Sequence, residues 1–454
     1  MTNIISLVCF VISAFIFYYT DNPDYWLLFL EPLIFGLIYG LNFFLQNNKF
    51  ECLALGVIFT TSFLRFVVTP LVMCLAGYPK IVVDSCSAYI GQAVLLQLYE
   101  EVCILLVISY FAPKIYKSQY NSEPVVEENV MHWKNNIVII AIILFALMLC
   151  VVFPSLLSRF HFIFSMVGNE SEDAIEKIAF SGLAVFVSIG RILLVLYALS
   201  YLFCQYQYTN QKKYIIYSLL LVGINASIAY DMSRFSSLMP IVVTLYFLSI
   251  LYPFMRKKII TWGVIIGSAC ISFLTFVKMF SKYRGDSSNS TNIKYWAMSL
   301  QCYFQGINDI CIGISASHKI HKFPLSQFFN DVISNMMFLS IISDSKSSSL
   351  KIFNVEYNGW WVQDKILPNV CAGYIYAGFI GAPLINCILT FFAMKFDDMS
   401  RNAADVRYKY LYILAALPCC FGNMIFYPMI VGGSLVNSVL LIFIVMKIND
   451  KLKW

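Results

Sequence analysis

The chain has 454 residues, of which 60% are hydrophobic and 12% are charged, with a formal net charge of +6 at pH 7. Ordinary soluble domains carry about 25% charged residues, and a soluble protein with this balance would have too little polar surface to cover itself. The composition excludes a soluble globular enzyme, a disordered chain and a coiled coil. It predicts an all-α, polytopic integral membrane protein, with residues 1–454 forming a single membrane domain.

About twelve stretches are long and apolar enough to cross a bilayer, because a membrane helix needs about 20 mostly apolar residues. In chain order they are residues 3–20, 25–45, 52–77, 87–112, 136–158, 179–204, 213–230, 235–254, 259–280, 369–394, 410–428 and 431–447. The first lacks a basic segment before it and a small-residue cleavage site after it, so we interpret it as a retained span. Most of the 14 cysteines lie inside these stretches as small hydrophobic residues. Cys302 and Cys311 are the one pair considered for a disulfide.

The distribution of Lys and Arg predicts the orientation. With a cytoplasmic N-terminus, the inside loops hold sixteen basic residues, and the short outside loops hold Lys80, Arg159, Lys177 and Arg234. Because basic residues accumulate in cytoplasmic loops, both termini are predicted to be cytoplasmic. Residues 281–368 then form one long extracytoplasmic loop. Its aromatic content and the helix-like apolar spacing at 295–317 and 325–342 predict a folded cap of short helices.

Three basic residues lie inside predicted spans, where a charged side chain is costly and by default indicates function. They are Arg65, Arg191 and Lys278. Arg65 and Arg191 either bind a substrate anion or pair with buried acids. The acids available are Glu31, Glu100 and Glu101. Lys278 either binds substrate or extends its ammonium group to the membrane interface.

A second group of basic residues is predicted at the outer face. Arg234 lies in a short turn between the seventh and eighth spans, and Lys282 and Arg284 follow the ninth. A guanidinium fork suits a phosphate or pyrophosphate, and the anion expected at this depth is a lipid headgroup. The alternatives are an ion pair of Arg234 with Asp231 and a solvated loop position for Arg284.

The long loop carries side chains of the kinds that hold sugars, namely aromatic rings with Asn, Gln and Asp. They occur in residues 303–309, which include Asp309, and in residues 356–364. The second segment contains Glu356, Trp360 and Trp361. Interfacial anchoring is the alternative for the two tryptophans.

His318 and His321 are spaced so that they share one face of a helix, where they suit acid–base chemistry or metal binding. A solvated basic turn is the alternative interpretation. No third ligand is in register, so no metal site is predicted. Neither the dinucleotide-binding nor the P-loop glycine motif occurs.

Several of these features resemble the Wzy-type polymerases of O-antigen and capsular polysaccharide, over about residues 210–395. The resemblance is carried by the Arg-containing turn at 231–237, by Lys282-Tyr283-Arg284-Gly285, by the long outer loop with Asn-Gly-Trp-Trp at 358–361, and by the Gly- and Tyr-rich residues 372–381. It implies a glycosyltransferase of the bacterial plasma (inner) membrane. The enzyme would join undecaprenyl-pyrophosphate-linked oligosaccharide repeat units at the outer face, with no nucleotide sugar, metal or other cofactor.

The resemblance also implies residue roles and partners. Arg234 and Arg284 would hold the pyrophosphate, Lys278 and Lys282 would add positive charge, and Asp309 or Glu356 would lie near the acceptor. The general base stays open among these two acids, Asp286, Asp364, His318 and His321. The partners are the lipid-linked oligosaccharide and the bilayer, with a chain-length regulator protein as a further candidate and no nucleic acid.

Other functions stay open. A lipid-linked oligosaccharide flippase would use the same substrate but would not need a long outer cap, and no repeat of two halves is visible in the sequence. A different lipid-phosphosugar-dependent glycosyltransferase would place an acidic motif in its first outer loop, which here is the short turn at 20–24. Another polytopic transporter would favour Gly- or Pro-broken helices near the midplane, whereas most prolines here mark span ends.

Overall fold

The computed structural model describes residues 2–41, 52–79, 84–116, 136–162, 181–230, 234–263, 265, 292–320, 323–337, 339–344, 347–360 and 365–452. It is built from helices apart from two three-residue strands, which confirms the predicted all-α class. Within these described ranges, four helices are long and apolar enough to cross a membrane, or six if each of two bent helix pairs is one span. These helices support a membrane protein. The number of twelve spans and their orientation stay predictions.

The chain forms two compact units, each made of three separate segments. Unit 1 comprises Met1–Ser122, Asn289–Asp398 and Ala416–Leu435. Unit 2 comprises Glu123–Ser288, Met399–Ala415 and Val436–Trp454. A single membrane domain over the whole chain stays a prediction.

The N-terminal part of unit 1 contains α1 (Thr2–Tyr19), α2 (Leu30–Leu41), α3 (Leu53–Leu75) and α4 (Ile90–Ile115). Small residues let α1 and α2 approach closely. A Cβ added to Gly36 would lie 2.7 Å from the Cβ of Cys9, and one added to Gly40 would lie 2.6 Å from the Oγ of Ser6. This Gly-x-x-x-Gly spacing is a common way to bring membrane helices together, because backbones without side chains between them gain dispersion contacts.

Helix α3 contains one π-helical turn, Leu64–Val68. The Leu64 carbonyl accepts two hydrogen bonds from Thr69, one from its backbone amide, which closes the π turn, and one from its hydroxyl at 2.8 Å. Single π turns inside α-helices occur frequently at functional positions. Here the turn includes Arg65, which is fully buried.

Short helices occupy the predicted cap, as the apolar spacing indicated. They are α9 (Asn292–Tyr303), α10 (Ile307–Ser317), α11 (Pro324–Ile333) and α12 (Ser349–Asn358). Asp331 on α11 accepts hydrogen bonds from the Ser349 backbone amide at 2.9 Å and from the Tyr376 hydroxyl. These contacts fix α11 and α12 to the helix that follows the cap. Cys302 and Cys311 both carry thiol groups, so the disulfide between them is not formed.

The C-terminal helices are α13 (Asn369–Gly381), α14 (Leu384–Asn402), α15 (Val406–Cys420) and α16 (Met429–Lys451). The predicted span 369–394 is a helix pair bent by 106° rather than one straight helix. Gly378 takes a positive φ of 65°, which a residue without Cβ adopts at little cost. The predicted span 410–428 is helical only to Cys420 and ends in an irregular turn.

Unit 2 contains α5 (Ile137–Val152), α6 (Ser181–Thr209), α7 (Lys213–Ser227) and α8 (Arg234–Leu251). Strand β1 (Phe160–Phe162) pairs antiparallel with β2 (Ile228–Tyr230) and so ties the end of α7 to the segment after α5. Gly190 lets α6 lie against α5, because an added Cβ would be 2.3 Å from the Cβ of Ala146. Most of the predicted span 259–280 lies outside the described residues.

Candidate functional site

Several predicted site residues lie outside the part of the chain that the structure describes. These are Lys278, Lys282, Arg284, Asp286, His321, Trp361 and Asp364. Arg234 is the first residue of α8, but its side chain and its proposed partner Asp231 lie outside the described atoms. The predicted outer-face phosphate site therefore stays a prediction.

Arg65 forms an ion pair with Glu100 in the interior of unit 1. Its Nη2 lies 2.6 Å from the Glu100 Oε2, and both side chains have 0% exposure. Its Nη1 donates to the Oδ1 of Asn423 at 3.2 Å. Isolated buried charges are very unfavourable, whereas a hydrogen-bonded pair offsets much of that cost. Of the two interpretations of Arg65, the structure supports the ion pair.

Three asparagines extend this pair into a buried polar network. Asn386 donates to Glu100, and Asn369 donates to the Oδ1 of Asn386 at 3.1 Å. Asn369 also donates to the carbonyl oxygens of Gly422 at 2.7 Å and Ile425 at 2.8 Å. Its own Oδ1 accepts from the Tyr427 amide at 2.7 Å. The Asn369 side chain thus satisfies the backbone of the turn between α15 and α16, as buried irregular backbone requires.

Asp309 lies in the first turn of α10 and is 1% exposed. Its Oδ1 has no hydrogen-bond partner. Burial raises the pKa of Asp309 to about 7, against the opposing charges of Lys365 and Arg65. A carboxyl group with a pKa near the operating pH suits proton transfer. The surrounding residues 304–309 are buried, so the sugar-binding surface predicted for this segment is not open in the structure.

Glu356 is already paired. Its carboxylate accepts from the Ser315 hydroxyl at 2.7 Å and forms an ion pair with Lys319. Burial would raise the pKa of Glu356, but the bonds from Lys319 and Ser315 outweigh it and lower the pKa below its ordinary value. His318 stacks on Tyr89 with ring centroids 5.5 Å apart.

Trp360 is 67% exposed, as either sugar stacking or interfacial anchoring requires. Among the described residues, no group of three or more His, Cys, Asp or Glu side chains is arranged to hold a metal ion.

Arg191 differs from Arg65, because it has no carboxylate partner among the described residues. Its Nε donates to the Oδ1 of Asn225 at 3.0 Å, and its Nη2 donates to the carbonyl oxygens of Asn225 and Ile228, both at 2.7 Å. The guanidinium thus caps the C-terminal carbonyl groups of α7, a favourable place for a cation. Among the described residues, Arg191 forms no ion pair with a buried acid, the alternative considered for it in the sequence. The positive charge is held in position, and no described carboxylate neutralises it.

The Arg191 side chain lines a cavity of ≈ 380 Å³ between α5, α6 and α7, named here the Arg191 cavity, whose exposed lining is almost entirely apolar. Of its fifteen lining residues, Arg191 and Asn225 supply the side chains with polar head groups. The apolar walls include Ile143, Leu147, Val187, Leu194, Leu221 and Ile224. The volume is within the range of about 300–1,000 Å³ typical of small-molecule sites. An apolar space beside a fixed cation suits an amphiphile with an anionic head.

Sequence reasoning identified Arg191 from its charge but missed Asn225, which orients it. It also missed Asn369, Asn386 and Asn423. A signal was present, since neutral amides inside apolar stretches also need partners in a membrane. No protein-family model, curated protein or solved structure matches the chain.

Proposed function

We propose that this protein is a glycosyltransferase that joins undecaprenyl-pyrophosphate-linked oligosaccharide repeat units at the outer face of the bacterial plasma membrane. The observation that carries this proposal is Arg191, a guanidinium with no carboxylate partner among the described residues, held at the edge of an apolar cavity. The sequence features at 231–237 and 282–285 support the same substrate class.

The Arg191 cavity has the two properties that a polyprenyl phosphate needs. Its apolar walls suit the isoprenoid units next to the headgroup, because wall side chains in contact with the isoprenoid carbons gain dispersion energy. Arg191 keeps its Nη1 free of hydrogen bonds to described residues, and a guanidinium binds phosphate oxygens with directed hydrogen bonds. Asn225 and two backbone carbonyl groups fix the guanidinium, so little freedom is lost on binding.

The proposed reaction needs charge stabilisation more than covalent catalysis. An acceptor hydroxyl attacks the anomeric carbon of the donor glycan, and the bond from that carbon to the pyrophosphate oxygen breaks. The pyrophosphate leaves with the electron pair, which cationic groups such as Arg191, Arg234 and Arg284 stabilise. The hydroxyl proton passes to a base. Asp309 is the better candidate of the two described acids, since Glu356 is committed to Lys319.

Deletion and complementation in the source bacterium test the proposal. Loss of a polymerase is expected to remove the ladder of long surface glycans on a gel while the product with one repeat unit persists. Wild-type protein and the exposed-cation control Lys212→Met should both restore the ladder, and Arg191→Met should restore less of it. An unchanged ladder in the deletion strain would contradict the proposal.

A lipid-linked oligosaccharide flippase is the second candidate, and buried carboxylates in unit 1 that lack a cationic partner favour it. Such groups are typical of proton relays in transporters. The same deletion distinguishes the two functions. Without a flippase, the one-unit product also disappears, because its precursor accumulates on the inner leaflet.

A further inference from the structure

A second set of buried acids lies next to the Arg65–Glu100 pair and is not needed for glycosyl transfer. Glu31 on α2 and Glu101 on α4 both have 0% exposure. Neither forms a salt bridge to a described residue. Arg65, the basic residue that acts on both, is already hydrogen-bonded to Glu100. Three carboxyl groups therefore share one guanidinium.

The oxygen atoms of this group lack hydrogen-bond donors. Glu31 Oε1 and both carboxyl oxygens of Glu101 are buried without a partner. Gln97 gives an independent sign, because its Nε2 donates to Glu31 at 3.1 Å while its buried Oε1 also has no partner. The Gln97 head group is thus directed at Glu31 and contributes an additional unfilled acceptor. Buried polar atoms are nearly always satisfied, so four unfilled acceptors indicate a missing donor.

We propose that Glu31 and Glu101 form a proton-binding site in unit 1, where each carboxylate takes up one proton to become a neutral carboxylic acid and releases it again. Two protons balance the two negative charges that Arg65 leaves uncompensated. Each protonated carboxyl group also supplies one hydrogen-bond donor among the unfilled acceptors. The Arg65–Glu100 pair stays ionised beside the site.

The neighbouring titratable groups are consistent with this assignment. The Cys9 thiol on α1 interacts with Glu101, and Glu100 interacts with both acids. Asp309 on α10 and Cys371 on α13 interact with Arg65. Apart from Arg65, the described groups that act on Glu31 and Glu101 are neutral or acidic. Proton uptake by Glu31 and Glu101 is therefore the change that neutralises their negative charge.

Infrared difference spectroscopy of the full chain in lipid nanodiscs tests the site. A protonated carboxylic acid has a carbonyl band that is separate from the carboxylate bands and shifts in D₂O. We expect this band at neutral pH and expect alkaline pH to remove it. Glu31→Gln and Glu101→Gln should each remove about half of its intensity. Glu356→Gln, in which the lost carboxylate was paired with Lys319, is the matched control and should leave the band unchanged.

Asp309→Asn serves as the background for all measurements, because Asp309 also titrates near neutrality. A band that persists in the Glu31→Gln/Glu101→Gln double variant would overturn the proposal. Absence of the carbonyl band in the Asp309→Asn protein would also overturn it. This measurement does not depend on the folding of either glutamine variant. A signal that responds to sodium chloride against choline chloride but not to pH would assign the site to a metal cation and overturn the proton.

Discussion

The two arginines inside apolar helices have different kinds of partners. Arg65 in unit 1 is fully buried, paired with Glu100 and supported by Asn423. Arg191 in unit 2 is held by Asn225 and by carbonyl oxygens, lines the Arg191 cavity and forms no ion pair with a described carboxylate. The sequence contexts are alike, since each arginine is surrounded by Ser, Ile, Leu or Phe. The partners, and not the depth in the helix, separate a structural arginine from one that is available to bind an anion.

The difference has a physical reason. The Glu100 carboxylate cancels most of the positive charge of Arg65. The ion pair as a whole therefore attracts a further anion only weakly. Carbonyl oxygens and an amide orient the Arg191 guanidinium by their dipoles but leave its net charge in place. A site of this kind resembles other preorganised anion sites, in which dipoles fix the donor and charge is completed by the ligand.

The largest effect is expected for Arg65→Leu. Removing one member of a buried ion pair leaves the other charge uncompensated and destabilises a protein by about 3–5 kcal/mol. Thermal unfolding in detergent should show a large loss of stability. The double variant Arg65→Leu/Glu100→Leu is the control and should be more stable than the single variant. Equal stability of the single variant and the wild type would show that Arg65 has no structural role.

The next effect is expected for Asn386→Leu, which removes the amide that donates to Glu100 and accepts from Asn369. A buried acceptor left without its donor costs about 1–3 kcal/mol. The same unfolding measurement should place this variant between the wild type and Arg65→Leu. Asn402→Leu, at the last residue of the same helix, is the comparison for the general effect of the substitution. A larger loss there than at Asn386 would contradict the network.

Arg191→Met should change binding more than stability. A hydrogen bond to a charged group contributes about 1.5–3 kcal/mol, so the affinity for undecaprenyl pyrophosphate should fall roughly tenfold to a hundredfold. Native mass spectrometry with this lipid measures the change, and Lys212→Met is the control for loss of an exposed cation. Unchanged affinity together with a stability loss as large as that of Arg65→Leu would mean that the two arginines have the same role.

The sequence predicted the helical class, the short cap helices and the two arginines as unusual residues, because periodicity and charge are local properties. It did not predict which arginine would be paired. Glu100 lies on the next helix after Arg65, and Asn225 lies one helix beyond Arg191, so the outcome depends on helix rotation and packing. The bend after Gly381 was also missed, although Gly-Ala-Pro at 381–383 is a recognisable break.

A finer test converts Arg191 into an arginine like Arg65 without removing it. Asn225→Asp places a carboxylate against the guanidinium, and we expect about a tenfold loss of undecaprenyl pyrophosphate affinity, since a desolvated charge partner competes with the phosphate. Asn225→Leu removes the same hydrogen bond without adding charge and should lose less affinity for undecaprenyl pyrophosphate. Equal losses of affinity in Asn225→Asp and Asn225→Leu would show that the orientation of the guanidinium, and not its charge, distinguishes Arg191 from Arg65.

A pH-dependent effect is expected at Asp309, a unit 1 acid that has no hydrogen bond at its Oδ1. Burial raises its pKa from the ordinary 3.8 to about 7, so the folded protein holds a proton that the unfolded chain releases between these values. The contribution of Asp309 to stability therefore decreases as the pH rises from about 4 to 7 and is level above that. Asp309→Asn should match the wild type near pH 4, because an amide and a protonated carboxyl group have similar shapes, and should become relatively more stable toward pH 7.

Unfolding measured across this range checks the trend, with Asp405→Asn, whose carboxylate is paired with Arg407, as the control. A difference between Asp309→Asn and the wild type that does not change with pH would show that Asp309 is already ionised in the folded protein, and it would remove the argument for Asp309 as a base.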